Sequence, residues 1–206
     1  MSMVDLGDNA VLRLAKPSDL NPFLEVCLKT SDSGADGSNL YNHKDLVGDI
    51  YAAPYLLHEP KFAYALEIAG KVTGYLLGAL DTRLFEEILF AKYWPATQQK
   101  YKNSTVSASA GDKVLLAHLF NIGMTESDIV KKYPSHLHID ILESGQGRGY
   151  GKVMINHMLA QLKDAGSTGV HLHVSNKNYR AQEFYKKLGF TNFKAGSDES
   201  IMGINF

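Results

Sequence analysis

The sequence has little cysteine, no long apolar run and almost no net charge, and each shortage argues against a class of protein. Its 206 residues include a single cysteine, Cys27, so the chain can form neither an internal disulfide nor a cysteine-rich zinc module. No apolar run approaches the roughly 18 residues that a membrane-spanning helix needs. Residues 1–20 carry scattered charges and lack the apolar core of a signal peptide. We therefore expect a soluble, cytoplasmic protein with no membrane partner.

The charge balance argues against nucleic acid as the main ligand. Lysine and arginine total 21, and aspartate and glutamate total 22, which gives a net charge of -1 at pH 7. Proteins that bind nucleic acid usually carry a basic excess or a basic stripe. The length suits one domain, and an apolar fraction of 45% is enough for a sizeable core. We expect residues 1–206 to form a single domain without a nucleic-acid partner.

Hydrophobic periodicity and turn residues predict an α/β fold. The predicted strands are residues 10–15, 61–68, 72–80, 136–142, 169–174, 190–193 and 201–206. The predicted helices are one that Pro17 opens, followed by residues 44–51, 149–163 and 178–188. Strands that alternate with helices indicate a mixed central sheet flanked by helices.

Residues 81–133 interrupt this alternation with a helical insertion between the third and fourth predicted strands. Apolar side chains around Phe85 and from Val114 to Phe120 have helical spacing. Between them, residues 102–112 are polar and short of large apolar side chains, which is typical of a mobile loop. The insertion is a candidate lid over a substrate.

A glycine-rich segment, SGQGRGYGK from Ser144 to Lys152, separates a predicted strand from a predicted helix. Glycine lets the backbone approach a ligand closely, and the free N–H groups of the first helical turn favour an anion such as a pyrophosphate. A simple strand-to-helix turn would not need four glycines at every second position. We therefore predict a cradle for a phosphate-bearing cofactor, formed by Gln146, Gly147, Arg148, Gly149, Tyr150, Gly151 and Lys152.

Two common phosphate-binding loops do not fit this segment. A Walker A loop would need glycine at the position of Gln146 and a hydroxyl side chain at the position of Val153. A dinucleotide-binding loop has the spacing G-x-G-x-x-G, whereas these glycines occur at every second residue, and no acidic residue follows in the right context. Both alternatives fail on spacing.

The spacing from Gln146 to Gly151 instead resembles Q/R-x-x-G-x-G/A, the pyrophosphate loop of the GNAT superfamily of N-acetyltransferases. Downstream, NYRAQEFYKKLGF from Asn178 to Phe190 is similar to that superfamily's N-x-x-A-x-x-F-Y-x-x-x-G-F segment. The resemblance covers residues 136–193 and implies a GNAT fold with acetyl-CoA as the cofactor.

A closer resemblance covers more of the chain. DLVGDIYAAPY from Asp45 to Tyr55 and PSHLHIDI from Pro134 to Ile141 resemble the acetyltransferase-like domain at the C-terminus of O-GlcNAcases and its free-standing microbial relatives. The animal domains of this kind have lost the glycine loop and are regarded as pseudo-acetyltransferases, whereas this chain keeps the loop. No room remains for a glycoside hydrolase domain, so glycosidase activity is not implied.

The resemblance implies direct transfer of an acetyl group to a primary amine in a ternary complex. At the matching positions, the backbone amide of Ile141 polarises the thioester carbonyl and Tyr185 protonates the departing thiolate. Asn178 hydrogen-bonds the CoA arm, and Ala181 shares the helix face of Asn178 and Tyr185. Tyr185 also suits a plain core position in an amphipathic helix.

Asp140 is the candidate general base, because it alternates with Ile139 and Ile141 on the strand that leads to the cofactor. Glu143 is the reserve candidate. An acidic residue in a strand also commonly lies on a solvated face, so this alternative stays open.

The acceptor amine is unknown and could belong to a small molecule or a peptide; the oligomeric state is also unknown. Two other functions stay open. The chain could be a catalytically silent binder of acetyl-CoA, or a peptide-binding domain whose groove contains Leu40, Tyr41, Tyr51 and Tyr55. Two predicted strands carry an H-x-H pattern, at residues 136–138 and 171–173, which can bind metal. Because no cysteine or carboxylate pattern completes such a site, we expect polar cross-strand neighbours and no metal.

Overall fold

The computed structural model describes residues 3–206, in which eight strands form one mixed sheet. The strands are β1 (Val4–Gly7), β2 (Ala10–Leu14), β3 (Ala63–Ile68), β4 (Lys71–Ala79), β5 (Ser135–Ile141), β6 (Gly169–Ser175), β7 (Thr191–Ala195) and β8 (Glu199–Asn205). Their order across the sheet is β1-β2-β3-β4-β5-β6-β8-β7. The first two residues of the predicted 1–206 domain lie outside the described residues.

Helices cover both faces of this sheet. They are α1 (Leu20–Thr30), α2 (Leu46–Tyr51), α3 (Ala53–His58), α4 (Thr82–Lys92), α5 (Trp94–Tyr101), α6 (Ala110–Phe120), α7 (Ser127–Lys132), α8 (Tyr150–Asp164) and α9 (Tyr179–Lys187). Within residues 3–206, none of the helices is both long enough and apolar enough to cross a membrane.

The strand directions place the ends of two strands and the start of one helix close together. Neighbouring strands from β1 to β5 are antiparallel, β5 and β6 are parallel, and β8 is antiparallel to β6 and β7. The crossover through α8 joins the parallel pair, as parallel pairing requires. Consequently, the carboxyl ends of β5 and β6 and the amino end of α8 lie at the same end of the strands.

Each face of the sheet has its own hydrophobic core. One core packs against α1–α6, and the other packs against α8 and α9. Because side chains alternate along a strand, β5 directs Leu137 and Ile139 toward α8. The same alternation directs His136, His138 and Asp140 toward the α1–α6 face, beside the β4 residues that belong to that core.

The segment α4–α7 is fastened to the sheet where it begins and where it ends. Thr82 N donates to Pro134 O (2.8 Å), which brings the two ends of the segment together. The buried Tyr133 ring lies directly over Gly203 of β8, and Tyr133 O lies 2.9 Å from Nδ1 of His171 on β6. The segment is therefore held over the middle of the sheet.

Residues 102–112 contain more regular structure than the predicted loop. Residues Ser104–Ser107 form a 3-10 turn, and α6 begins at Ala110 rather than at Val114. The earlier start follows from a capping box in which the Ser109 hydroxyl and the Asp112 carboxylate each accept a backbone N–H from the other. Mobility of this segment stays a prediction.

Outside the insertion at residues 81–133, one strand and one α-helix were absent from the sequence prediction. The edge strand β1 forms a hairpin with β2 through a two-residue turn at Asp8 and Asn9, whose φ values are 53° and 57°. Because β1 precedes the predicted strands, the helical insertion lies between the fourth and fifth strands of the observed sheet. Helix α3 forms despite Pro54, which lies in the first turn, where proline is tolerated.

Gly203→Ala is expected to lower the free energy of unfolding by about 1–3 kcal/mol, because the new Cβ would lie 2.4 Å from Tyr133 Cζ. Gly123→Ala is the control, since a Cβ there would meet no atom within 4 Å. Urea unfolding of both variants measures the difference. Equal effects would contradict the packing of Tyr133 on Gly203.

Candidate active site

Strands β5 and β6 are paired over a short length and separate beyond it. In the described chain their ladder joins Ser135 to Val170 and His136 to His171. The later residues of the two strands are not paired with each other in residues 3–206. An opening therefore runs between the carboxyl-terminal halves of β5 and β6.

The backbone of Ile141 faces this opening. Across the β4–β5 ladder, Leu142 N donates to Thr73 O (2.8 Å). Because successive residues of an antiparallel ladder direct their backbone groups to alternate sides, the N–H and C=O of Ile141 point away from β4. Gln146 Nε2 donates to Ile141 O (2.6 Å), which agrees with that direction. The N–H groups of Ile141 and Ile139 are thus directed toward the opening.

The glycine loop leaves free space next to the amino end of α8. Gly147 and Gly149 have φ values of 78° and 81°, in the left-handed region that favours glycine. A Cβ built on either residue would meet no atom within 4 Å. At the amino end of α8, which begins at Tyr150, the N–H groups of Tyr150 and Gly151 have no acceptor among residues 3–206, whereas Lys152 N donates to Gly149 O (3.1 Å). Free space beside unpaired N–H groups at a helix amino end fits a pyrophosphate.

Gln146 fixes the loop to both neighbouring elements. Besides its bond to Ile141 O, its Oε1 accepts a hydrogen bond from Arg180 Nη2 of α9 (2.5 Å). Arg148 and Lys152 are exposed, and neither forms an ion pair with any residue that the structure describes. Both cations are therefore available to an anion at the loop.

Tyr150 and Gly151 face inward from the loop. Tyr150 is 4% exposed and packs in the core between α8 and the sheet, so only its backbone can face a ligand at the loop. Its buried hydroxyl has no hydrogen-bond partner among residues 3–206. A Cβ on Gly151 would lie 3.3 Å from Phe184 Cζ, so glycine at this position lets α8 lie close to α9.

Asp140, the predicted base, is partly buried and accepts a hydrogen bond, and it does not lie on a solvated face. Tyr75 Oη, from the paired position on β4, donates to Asp140 Oδ2 (2.5 Å). Burial raises the pKa of Asp140 to about 6, and the hydrogen bond from Tyr75 opposes the rise. The carboxyl group is therefore mostly ionised at neutral pH.

The nearby Cys27 is buried, and burial raises the pKa of its thiol to about 12, which makes it a poor nucleophile.

Tyr185 occupies the core position that the sequence left open as the alternative to a catalytic role. Its side chain is 8% exposed and packs against Phe190, with ring centroids 5.7 Å apart. Burial and then the negative charge of Asp140 raise the pKa of Tyr185, so the hydroxyl keeps its proton at neutral pH. Tyr185 is thus a core aromatic that also holds a proton within electrostatic reach of Asp140.

The other predicted residues occupy different environments. Asn178 caps α9, because Ala181 N donates to Asn178 Oδ1 (3.0 Å), and its Nδ2 is not used by the cap. Glu143 is exposed in the 3-10 turn that follows β5. Of the two candidate bases, Asp140 is the one that lies partly buried beside the opening.

A pocket of about 470 Å³, which the sequence did not predict, lies on the α1–α6 face of the sheet. Side chains from α2–α7 form its walls, and four histidines of β5 and β6 form its floor. The floor residues are His136, His138, His171 and His173. The H-x-H patterns predicted polar cross-strand neighbours, and the pairing of His136 with His171 confirms this. The two H-x-H patterns were the sequence signal that could have indicated this floor. They do not indicate the helices that cover it.

Three of the floor histidines are held by hydrogen-bond partners at 2.7–2.9 Å. These contacts are His136 with Tyr55 Oη and Thr82 Oγ1, His171 with Tyr133 O, and His173 with Glu199 Oε1. His138 forms no hydrogen bond with any described residue, so its ring nitrogens are free to meet a ligand.

Burial keeps three of these imidazoles neutral. It lowers the pKa of His138 and of His171 to about 4, and it lowers the pKa of His136 well below its usual value. Neighbouring histidines add to the effect. Within residues 3–206, no three histidine, cysteine or acidic side chains are grouped so as to hold a metal ion.

The four residues of the predicted peptide groove lie in different environments. Tyr51 and Tyr55 line the histidine-floored pocket. Leu40 and Tyr41 are not among its lining residues, since Leu40 is exposed and Tyr41 is buried in the core.

Comparisons with known proteins agree with this architecture. The crystal structure of SsHAT is 31% identical in sequence, with a TM-score of 0.88 over 96% of this chain and 98% of that one. PaiA N-acetyltransferase of Thermoplasma acidophilum, in complex with coenzyme A, is 12% identical, with a TM-score of 0.59 over 96% and 99% of the two chains. YncA of Salmonella typhimurium, with its cofactor acetyl-CoA, is 13% identical, with a TM-score of 0.55 over 96% and 94%. The last two likenesses concern the fold alone.

The predicted fold is thereby confirmed as a mixed sheet flanked by helices. The model of the acetyltransferase (GNAT) family matches residues 36–190, which include the glycine loop and the whole segment from Asn178 to Phe190. On this evidence, the chain belongs to the acetyltransferase (GNAT) family.

Proposed function

We propose that this chain is an N-acetyltransferase that moves an acetyl group from acetyl-CoA to a primary amine in a ternary complex. The observation that carries the proposal is the continuity of two features. The glycine loop offers unpaired N–H groups beside free space, and the opening between β5 and β6 extends to the carboxyl end of β5, where that loop follows. Membership of the family supports the same activity.

The cofactor would be held by residues on both sides of the opening. Backbone N–H groups of the loop would bind the pyrophosphate, with Arg148 and Lys152 adding positive charge. Asn178 Nδ2 would contact the CoA arm alongside Ala181. The residues proposed to bind acetyl-CoA are Ile141, Gln146, Gly147, Arg148, Gly149, Tyr150, Gly151, Lys152, Asn178 and Ala181.

Acetyl-CoA, when bound, supplies a thioester whose acetyl group passes to the amine while CoA leaves as a thiol. The Ile141 N–H is directed toward the opening, where it can donate a hydrogen bond to a carbonyl oxygen. Asp140 is mostly ionised at neutral pH and can accept the proton that the amine loses. Tyr185 keeps its proton and can donate it to the leaving sulfur. Glu143 is the reserve base.

Further parts of the proposal rest on the sequence. We propose that residues 1–206 act as one domain in the cytoplasm, and that the chain is a relative of the acetyltransferase-like domain of O-GlcNAcases. The retained glycine loop favours a chain that binds acetyl-CoA over a peptide-binding domain without a cofactor, because its free N–H groups suit a pyrophosphate. A catalytically silent binder would keep the same loop, so turnover is the property that separates it from an active enzyme.

Gly149→Glu is expected to weaken the binding of CoA by about 100-fold or more, because it places a carboxylate where the pyrophosphate would lie. Gly166→Glu is the matched control at the other end of α8. Both glycines have positive φ, at 81° and 97°, and both have free space at Cβ, so the backbone strain is similar. Titration calorimetry with CoA measures both affinities.

Retained affinity in the Gly166 variant, together with loss in the Gly149 variant, would support the cradle. Equal loss in both would attribute the effect to strain. Failure of the wild-type protein to bind CoA would contradict the transferase proposal and leave an interaction domain.

Asp140→Asn is expected to lower kcat by roughly 100-fold to 10,000-fold while leaving CoA affinity nearly unchanged, because it removes the proton acceptor. The wild-type rate should rise with pH through about pH 6 as Asp140 ionises. Tyr75→Phe removes a hydrogen bond that lowers the pKa of Asp140, so the rise should move to higher pH. The pH dependence of kcat with one saturating acceptor measures this shift.

Tyr101→Phe provides the control for Tyr75→Phe. It removes a similar hydrogen bond, from Tyr101 Oη to Asp49 Oδ2 (2.6 Å), that lies outside the opening between β5 and β6. The acceptor's own ionisation is common to every variant and cancels from the comparison. An unchanged profile in Tyr75→Phe, or an equal shift in Tyr101→Phe, would rule out Asp140 as the base.

A further inference from the structure

We propose that the histidine-floored pocket binds the acceptor, and that this acceptor is a small primary amine attached to an apolar or aromatic body. The inference rests on the proposed acetyl transfer and gives that reaction a substrate class. It follows from where the pocket lies, from its charge, and from the side chains of its walls.

The pocket meets the opening between β5 and β6, where we place the cofactor, at the point where these two strands separate. His136 and His171 form the last pair of the β5–β6 ladder in the described chain, and His138 and His173 occupy the next positions on the same face. Asp140 follows His138 on that face of β5, about 7 Å further along the strand. An amine seated over His138 is therefore next to the proposed base and to the opening.

The charges that line the pocket favour a cation. Among the described residues, its lining contains three glutamates and neither lysine nor arginine. Glu86 pairs with Arg83, and Glu126 pairs with Lys194. Glu199 instead accepts a hydrogen bond from His173 Nδ1 (2.7 Å), and this bond lowers the pKa of Glu199. The carboxylate of Glu199 is thus the lining anion that no lysine or arginine neutralises.

The neutral histidines complement this anion. His138 carries no charge at neutral pH, because burial lowers its pKa to about 4, so it does not repel an ammonium group. Since His138 makes no hydrogen bond within residues 3–206, a ring nitrogen can accept an N–H from the acceptor. Glu199 would attract the ammonium form, and His138 would receive the amine beside Asp140.

The walls of the pocket suit a body broader than an alkyl chain. Aromatic rings from α2 to α5 line them, namely Tyr51, Tyr55, Phe85, Phe90 and Trp94. The volume of about 470 Å³ lies in the range of sites for small molecules. A narrow lysine stem would leave most of these faces uncovered, whereas an aromatic body would cover them and retain a cation beside the rings.

The proposal is tested with three acceptors on the whole chain: 2-phenylethylamine, propylamine and a lysine-containing peptide with a blocked amino terminus. Acetylation is followed by thiol release and by the mass of the product. We expect 2-phenylethylamine to have the lowest KM, on the order of 10-fold below propylamine, because its ring buries additional apolar area.

Glu199→Gln is expected to raise the KM for 2-phenylethylamine by about 10-fold, because it removes one charge from the site of the ammonium group. Glu126→Gln is the matched control, since it also changes a lining glutamate, but one that Lys194 already pairs. CoA affinity, measured by calorimetry, should be the same in both variants and the wild type.

Acetylation of the peptide but not of 2-phenylethylamine would overturn the substrate class and leave the transferase proposal intact. Equal KM changes in Glu199→Gln and Glu126→Gln, or none in either, would overturn the role of Glu199. Absence of CoA binding in the wild type would overturn the proposed function instead, so the two failures are distinguishable.

Discussion

The early separation of β5 from β6 determines where both halves of the proposed site can form. Two paired positions, at Ser135 and His136, hold the strands together, and beyond them both strands turn their inner edges to an opening. A fully paired parallel ladder would have used the N–H groups of Ile139 and Ile141 for the sheet itself. Because the pairing stops early, these backbone groups are left for a ligand, at a place that both faces of the sheet can reach.

The two faces of the sheet contribute different parts of the site. On one face, α8 begins directly after the glycine loop and buries Tyr150 and Met154 against the sheet, which fixes the helix amino end at the opening. On the other face, α4–α7 forms a roof that is anchored by Tyr133 on Gly203 and His171. The first arrangement favours a phosphate-bearing cofactor, and the second forms the pocket that we propose for the acceptor. The two meet on β5, between His138 and Ile141.

The parts that the sequence could predict are those in which spacing translates directly into backbone geometry. The glycine pattern from Gln146 to Gly151 located the strand-to-helix loop, and the pattern from Asn178 located α9 with its capping residue. The environment of Asp140 was not predictable, because its bond to Tyr75 depends on the β4–β5 register. The pocket was missed because its roof depends on how α4–α7 folds over the sheet. The four-residue β1 was missed because so short an edge strand has almost no periodicity.

The proposed site requires that the Ile141 N–H faces the opening between β5 and β6 without a partner and forms a hydrogen bond when acetyl-CoA binds. Amide hydrogen exchange, followed by NMR on the free protein and with saturating acetyl-CoA, measures this directly. In the free protein the Ile141 amide should exchange faster than those of Asp140 and Leu142, whose N–H groups point toward β4. Acetyl-CoA should then slow the exchange of Ile141 and of the loop amides. An Ile141 amide that is already as protected as its neighbours, and that does not change when acetyl-CoA binds, would rule out Ile141 as a hydrogen-bond donor to the cofactor.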